Sequence, residues 1–372
     1  MINKNYVPIL KWKKGEMEAL RELDTTLKNH IHPIIDIPSI DWDYEKDCPK
    51  KTLDEHIGQF SENVSTYWNH PNSVFVDATT ICSNDNHLLA DQTQPLQHLF
   101  TQLRNENIQA VPVFNINSGP NYLQAVSQIN TQYQSGIALR LFQNDFDTIS
   151  DKLHRILTYF SIEPEDVDLI IDFKFLPCDI TNYQTILSQN SSHAILSIES
   201  IPYLSRWRSL SFCSTSFPVN LSNLSKEKLT ILPRLEWDLY KRIIQSKLDR
   251  KPNFGDYTIS NPTTVEIDPR LMTISANIRY TTENGFLIAK GYSVKDPKHG
   301  KWSQTRGLSR KIIESQYYFG RPYSYGDNYI YECANETVGV GNSRVWRKVG
   351  VNHHLTVAVN TLANYLSFSI YD

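Results

Sequence analysis

The sequence predicts an α/β protein, namely a TIM-like (β/α)8 barrel followed by a C-terminal extension with a β-hairpin and a final helix. Two observations predict the barrel. Apolar, β-branched runs alternate with amphipathic stretches of helical length, which is typical of βαβ units in a parallel sheet. These runs recur every roughly 30 to 40 residues and are apolar along their whole length, which indicates strands buried on both faces.

The predicted strands follow one another along the first 260 residues. They are YVPILK at 6–11, IHPIIDI at 31–37, SVFVDA at 73–78, IQAVPVFNI at 108–116, GIALRLF at 136–142, VDLIIDF at 167–173, WRSLSFCSTS at 207–216 and FGDYTIS at 254–260. Predicted helices such as GEMEALRELDTTLKN and LQHLFTQLRNEN lie between them, with apolar residues recurring at spacings of three and four residues. HAILSIES at 193–200 competes for the seventh strand, and if it is a strand, a doubly wound open sheet becomes the alternative.

The pattern changes after residue 260, so we predict a barrel over 1–260 and an extension over 261–372 that packs on it. TISANIRYTTENGFLIAKG at 273–291 predicts a hairpin, because Asn284-Gly285 is a strong two-residue turn signal between β-rich runs. The last helix is predicted in HLTVAVNTLANYL, and NHH at 352–354 opens it with Asn352 as the N-cap.

Composition narrows the class of protein. The chain has 372 residues and a net charge of -3, so any nucleic-acid surface has to be a local patch. Its five cysteines form no CxxC pair, which argues against a disulfide framework or a zinc knuckle and favours a reducing cytoplasm. No run approaches the roughly twenty apolar residues of a membrane span, so we expect a cytoplasmic protein with no membrane partner.

Charged residues end several of the predicted strands. In parallel barrels the reactive groups lie at the carboxyl ends of strands, and a charge buried there needs an ion pair or a ligand. We predict catalytic roles for Lys13, Asp77, Arg140, Asp172 and Asp256. Asp36, Asp77 and Asp172 are the predicted metal ligands, and a divalent cation is the cofactor that they would take. The alternative is a ring of structural salt bridges that closes the barrel.

A basic segment of the extension is the second candidate surface. Residues 290–311 carry seven lysines and arginines with Trp302 among them, a mixture that suits phosphates and stacked bases. A solvated charged face is the alternative. The predicted substrate-binding residues are Lys11, Arg279, Lys301, Trp302, Arg306, Arg347 and His353.

Several short motifs together resemble one protein family. They are YVPILKWKKGEMEAL at 6–20, SFP at 216–218, PRLEW at 233–237, FGDY at 254–257, IRYT at 278–281 and NHHL at 352–355. This set is similar to bacterial and phage-borne proteins called beta family proteins. The resemblance runs nearly the full length and implies an association with mobile elements or phage conflict, but it supplies no catalytic residues.

Two classes of function follow. The first is a phosphate-directed hydrolase, a metal-dependent phosphodiesterase or nuclease, whose partner is a phosphate-bearing ligand or nucleic acid. The second is a non-catalytic component of a defence or toxin system that binds nucleic acid or a partner protein. An enzyme needs the strand-end aspartates to converge on one point, whereas a binding module does not.

Overall fold

The computed structural model describes residues 5–263, 271 and 273–367. The strands are β1 (Tyr6–Lys11), β2 (Ile34–Asp36), β3 (Trp42–Asp43), β4 (Cys48–Pro49), β5 (Val74–Asp77), β6 (Ala110–Asn115), β7 (Ile137–Phe142), β8 (Val167–Phe175), β9 (Ser209–Thr215), β10 (Leu229–Pro233), β11 (Asn253–Asp256), β12 (Ser275–Thr281) and β13 (Gly285–Ser293). The α-helices are α1 (Lys14–Arg21), α2 (Thr25–Lys28), α3 (Leu53–Ile57), α4 (Phe60–Tyr67), α5 (Pro95–Asn105), α6 (Pro120–Tyr133), α7 (Ile149–Phe160), α8 (Tyr183–Glu199), α9 (Leu235–Gln245), α10 (Gln304–Ile313), α11 (Tyr325–Ala334) and α12 (Ser343–Leu366).

Eight strands form a closed parallel barrel, which confirms the predicted fold class. In chain order they are β1, β2, β5, β6, β7, β8, β9 and β11, and β11 pairs back onto β1. Residues 193–200 do not form a strand, because all but the last belong to α8. The closure and this helix together rule out the doubly wound open sheet.

Alternate residues of each barrel strand point into the barrel, as the period of two requires. The apolar members of this inner set are Val7, Ile9, Ile34, Phe75, Val111, Val113, Ala138, Ile170 and Cys213, with Tyr257 directly after β11. Gly255 belongs to the same inward series. A Cβ on Gly255 would collide with Cys213 Sγ and lie 2.7 Å from the carbonyl oxygen of Val7, so only glycine fits there.

A three-stranded antiparallel sheet forms the centre of the extension. β12 and β13 make the predicted hairpin, which is confirmed, and β10 adds a third strand on the other side of β13. Because β10 lies between β9 and α9 in the chain, a segment from before residue 260 belongs to this sheet. The division of the chain at residue 260 stays a prediction.

The last helix is longer than predicted and begins ten residues earlier. Asn342 caps α12, since its side chain accepts hydrogen bonds from the backbone N–H groups of Arg344 and Val345. The prediction that Asn352 is the N-cap is therefore wrong. Asn352 lies inside the helix, where its side chain accepts from Gly326 N and donates to the carbonyl of Ala19. It links α12 to both α11 and α1.

The WKKGE stretch after β1 has two tasks in the fold. It turns the chain from the strand into α1, and Gly15 lets α12 approach, because a Cβ there would lie 2.9 Å from the carbonyl oxygen of Arg344. The two lysines at 11 and 13 stay at the barrel mouth. Within the described ranges, no helix combines the length and the apolar content that crossing a bilayer requires.

Candidate functional site

A cavity of about 1390 Å³ opens at the carboxyl ends of the barrel strands. Its walls come from the strand ends and from the loops that follow them, the location where such barrels place their reactive groups. The described charged residues of its lining are Lys11, Lys13, Asp36, Asp41, Lys50, Asp77, Arg140, Asp172 and Lys174. Six of the residues predicted from strand ends are in this set, so the structure brings most of the predicted residues together.

Strand register explains why these side chains meet. Lys11 pairs with Asp36 in the β1–β2 ladder, and Asp36 pairs with Asp77 in the β2–β5 ladder. Paired residues of parallel strands point to the same face, and each of these three continues the inward series of its strand. A lysine and two carboxylates therefore face the cavity from three neighbouring strands.

Arg140 lies in β7, on the opposite side of the barrel from β1. It donates from Nη1 to Asp77 Oδ2 at 2.6 Å, and from Nε and Nη2 to Asp172 Oδ2 at 2.9 and 2.6 Å. Nη2 also donates to the Tyr257 hydroxyl at 2.8 Å, and this hydroxyl donates to Asp172 Oδ2 at 2.5 Å. The four side chains are buried and form one hydrogen-bonded cluster.

The remaining oxygens of the two carboxylates also have donors. Asp77 Oδ1 accepts from the backbone N–H and hydroxyl of Thr79, and Asp172 Oδ1 accepts from the backbone N–H of Lys174. Burial acts to lower the pKa of Arg140, but Tyr257, Asp172 and Asp77 together raise it well above its usual range. The guanidinium therefore remains charged and fixed in position.

Asp36 differs from the other two carboxylates. It is partly exposed to the cavity, and among the described residues no group donates a hydrogen bond to its carboxylate oxygens, although its backbone carbonyl accepts from the N–H of Trp12. Burial and the nearby charge of Asp77 raise the pKa of Asp36 to about 7, while Arg140 and Lys11 act in the opposite direction. The charge of this carboxyl can thus change near neutral pH.

In the structure, a guanidinium lies among the three predicted metal ligands. Asp36, Asp77 and Asp172 all border the cavity, but Arg140 occupies the space between Asp77 and Asp172. Among residues 5–263, 271 and 273–367, no group of three or more His, Cys, Asp or Glu side chains is arranged to hold a metal ion. The guanidinium is the cation that these two carboxylates bind.

Lys174 has an unusual backbone beside this cluster. Its φ angle of 53° lies in the left-handed region, at an irregularity in the pairing of β8 with β9. This conformation gives the Lys174 N–H to Asp172 and leaves the ammonium 3.9 Å from the centre of the Phe142 ring. Left-handed residues other than glycine, asparagine and aspartate are uncommon and cluster at functional sites.

Asp256 is not part of the cavity lining. It pairs with Pro8 and Ser214, so it faces outward from β11, whereas Gly255 and Tyr257 face inward. There Tyr6 donates to Asp256 Oδ1 at 2.5 Å, and Oδ2 lies 2.9 Å from His354 Nε2. This buried network joins the barrel to α12.

Tyr257 also lines the cavity, but it was not predicted because the candidates were chosen as charged residues at strand ends. The signal that finds it is the alternation of β11, since position 257 follows Gly255 in the inward series. Choosing residues by charge alone selected its neighbour Asp256 instead.

The predicted substrate-binding residues of the extension lie outside the described lining of the cavity. Arg279 and Arg347 support the loop after β11, because they donate to the carbonyl of Ile259 and to the hydroxyl of Ser260, respectively. His353 is fully buried, 2.7 Å from both Asp327 Oδ2 and the carbonyl of Thr281. Arg279 and Arg347 therefore join the extension to the loop after β11, whereas His353 links α12 to α11 and β12 within the extension.

The basic segment of the extension is dispersed. Arg306 forms an ion pair with Glu336 at 3.0 Å, Trp302 packs against the core of the extension, and Lys301 is exposed. Lys290, from the same segment, is buried and donates to the carbonyls of Leu221, Ser222 and Leu224. Lys11 is the predicted substrate-binding residue that the structure brings to the cavity.

Comparison with known proteins identifies a family. A family model described as Beta protein matches residues 6–360, which confirms the resemblance inferred from the short motifs. Among curated proteins there is no match. The association with phage conflict that the resemblance implies stays a prediction.

Two solved structures that match the chain do so at low identity and low TM-score. One is a mutant tryptophan synthase alpha-subunit from Pyrococcus furiosus, with 9% identity over 68% of this chain and 87% of that chain, at a TM-score of 0.33. Another is the catalytic module of a family 98 glycoside hydrolase from Streptococcus pneumoniae in complex with the H-disaccharide blood group antigen. It has 10% identity over 73% of this chain and 51% of that chain, at a TM-score of 0.36.

Proposed function

The chain belongs to the Beta protein family and folds as a closed (β/α)8 barrel, and we propose that it is a phosphate-directed hydrolase with its site at the barrel mouth. The observation that carries the proposal is the charge of the cavity. Its described lining has five cations and four carboxylates, and Arg140 is the cation that forms ion pairs with two of these carboxylates, Asp77 and Asp172. The remaining cations are available to an anionic ligand.

Four lysines supply the positive charge. Lys13, Lys50 and Lys174 are exposed, Lys11 is partly exposed, and none of the four forms an ion pair with another described residue. They come from the end of β1, the end of β8 and the β3–β4 hairpin, so they surround the opening rather than lie on one side. The five cations and four carboxylates of the lining give it a net charge of +1 in a chain of net charge -3, so the opening is a local positive region that attracts phosphate.

Asp36 is the proton donor in this proposal. It lies beside Lys11, and a carboxyl that titrates near neutral pH is suited to general acid catalysis. In the hydrolysis, water adds to phosphorus and the bond from phosphorus to the leaving oxygen breaks. The leaving oxygen takes the proton of Asp36, and a proton released by the attacking water restores the carboxyl through solvent.

Arg140 stabilises the negative charge that develops on the phosphate oxygens. Its four hydrogen bonds to Asp77, Asp172 and Tyr257 fix the guanidinium before the ligand arrives, so no reorganisation is needed during the reaction. Asp77 and Asp172 are positioning residues. Their oxygens are occupied by Arg140, Thr79, Tyr257 and Lys174, so the proposed chemistry relies on protein cations.

The test is hydrolysis of a short single-stranded oligonucleotide by the full chain, because its alkoxide leaving group needs a proton donor. We expect turnover that falls as the pH rises through about 7, because the acid form of Asp36 is needed. Asp36→Asn abolishes it, whereas Lys301→Ala, an exposed lysine outside the cavity lining, retains it. Turnover with EDTA equals turnover with Mg²⁺ or Mn²⁺. An Asp36→Asn variant as active as the wild type would overturn the proposal, and a strict metal requirement would overturn its reliance on protein cations.

A further inference from the structure

A small hairpin at the edge of the cavity supplies Lys50 to the proposed phosphate site, but its aromatic residues have no part in the hydrolysis described above. β3 and β4 pair antiparallel, with Trp42 opposite Pro49 and Asp43 opposite Cys48. The side chain of Asp43 accepts from the backbone N–H groups of Glu45 and Lys46, which orders the turn between the two strands. The hairpin follows β2, the strand that ends in Asp36, so it stands directly beside the proposed proton donor.

This hairpin presents two aromatic rings to solvent. Trp42 is 41% exposed and Tyr44 is 39% exposed, and both line the cavity. Five of the seven tryptophans are buried and Trp302 is partly buried, so Trp42 is the tryptophan that the fold leaves open. A large ring kept at the edge of a cavity, rather than in a core, is available to stack on a ligand.

The hairpin also carries a cation. Lys50 directly follows β4, and its backbone N–H donates to the carbonyl of Asp41 at 2.8 Å, which fixes the residue at the base of the hairpin. Its side chain lines the same cavity as Trp42 and Tyr44. Flat rings and a positive charge thus lie together on one short element that lines the same cavity as Lys11, Lys13 and Lys174.

The size of the cavity indicates a ligand larger than phosphate. At about 1390 Å³ it exceeds the roughly 300 to 1,000 Å³ of sites that hold drug-sized molecules. A phosphate group on the lysines leaves room for a sugar and a base between the strand ends and the hairpin.

We propose that the ligand is a nucleoside phosphate, with its phosphate on the lysines of the barrel mouth and its base stacked on Trp42 and Tyr44. This inference rests on the proposed function, because it takes the phosphate site as given and assigns the rest of the ligand. Stacking a base on one aromatic side chain is worth about 1–3 kcal/mol, which corresponds to about 5-fold to 150-fold in affinity.

The experiment compares four probes by isothermal titration of the full chain: adenosine monophosphate, ribose 5-phosphate, adenosine and inorganic phosphate. The variants are Trp42→Ala with Tyr44→Ala, and the matched control Tyr203→Ala, which removes a 53% exposed ring outside the described cavity lining. We expect adenosine monophosphate to bind at least about tenfold more tightly than ribose 5-phosphate. The double variant loses this difference and keeps its affinity for ribose 5-phosphate, and Tyr203→Ala changes neither.

Two other outcomes would overturn different parts of the proposal. Equal affinity for adenosine monophosphate and ribose 5-phosphate, unchanged in the double variant, would overturn the base platform and leave the phosphate site standing. No binding of ribose 5-phosphate or inorganic phosphate by the wild type would overturn the phosphate site, and the nucleoside phosphate assignment with it.

Discussion

Asp36 and Asp77 occupy paired positions in the β2–β5 ladder, so two carboxylates face one cavity from neighbouring strands. Asp77 has Arg140 at 2.6 Å, whereas Asp36 has no comparable partner among the described residues. This asymmetry assigns different roles to two residues of the same type. Asp77 fixes a cation, and Asp36 exchanges a proton.

Asp36→Asn is expected to stabilise the protein at alkaline pH. The pKa of Asp36 is about 7 in the folded chain, against an ordinary aspartate value of 3.8 in the unfolded chain. The folded state therefore binds the proton more tightly when the pH lies between these two values. The free energy of unfolding therefore falls as the pH rises from about 4 to about 7, and asparagine removes this loss. Urea unfolding at pH 4.5 and pH 8 should show a small difference at the lower pH and about 1–3 kcal/mol in favour of the variant at the higher pH. A variant less stable than the wild type at pH 8 would contradict the assigned environment of Asp36.

Arg140→Met is expected to destabilise the barrel strongly. It leaves Asp77 and Asp172 buried without their cation, and losing one partner of a buried ion pair costs about 3–5 kcal/mol. Arg206→Met is the matched control, since Arg206 pairs with Glu163 and Glu165 on the surface. Exposed pairs are worth about 1 kcal/mol or less, so the control loses little in urea unfolding. Similar losses in the two variants would show that the Arg140 cluster is not desolvated.

Gly255→Ala tests the packing inside the barrel. The added methyl group meets Cys213 and the carbonyl of Val7, and overpacking of this kind costs about 1–3 kcal/mol. Gly307→Ala is the contrasting change, because Gly307 lies exposed within α10 with nothing within 4 Å of an added Cβ. The helix propensity of alanine should stabilise that variant by up to about 1 kcal/mol. Thermal unfolding of both variants checks the opposite signs, and a neutral Gly255→Ala would contradict the close packing.

Asp256→Asn separates the structural network from the cavity. Burial acts to raise the pKa of Asp256, but His354, Arg234 and Tyr6 hold it below its usual range. A carboxylate with a lowered pKa stabilises the fold above its ordinary pKa, and this contribution is lost as the pH falls through the folded value. The variant should therefore lose on the order of 3 kcal/mol at neutral pH, less at acid pH, and still bind phosphate probes. Loss of phosphate binding by a folded Asp256→Asn protein would place Asp256 in the site after all.

The barrel and most of its mouth followed from the sequence because both depend on local pattern. Apolar runs with a charged last residue identify buried parallel strands, and Lys11, Asp36, Asp77, Arg140 and Asp172 each continue the inward series of a strand. Asp256 was misplaced because charge was given more weight than alternation at the short strand β11. Tyr257 was missed for the same reason.

The roles of the extension could not be predicted in this way. Whether Arg279, Arg306 or His353 meets a ligand depends on contacts between segments far apart in the chain. Arg306 pairs with Glu336, thirty residues away, and His353 with Asp327 in another helix. The exposure of Trp42 is equally invisible in the sequence, because it depends on a two-residue strand pair that leaves no periodic signal.

The most direct test of the phosphate site is calorimetric titration of the full chain with inorganic pyrophosphate. We expect binding that weakens as salt increases and falls at least about tenfold in a Lys13→Ala, Lys174→Ala double variant, since two cations are removed from the opening. Lys301→Ala, an exposed lysine outside the described cavity lining, should bind as the wild type does. Absence of pyrophosphate binding by the wild type would show that the chain has no phosphate site. A loss of binding confined to Lys301→Ala would place the phosphate site in the extension and not at the barrel mouth.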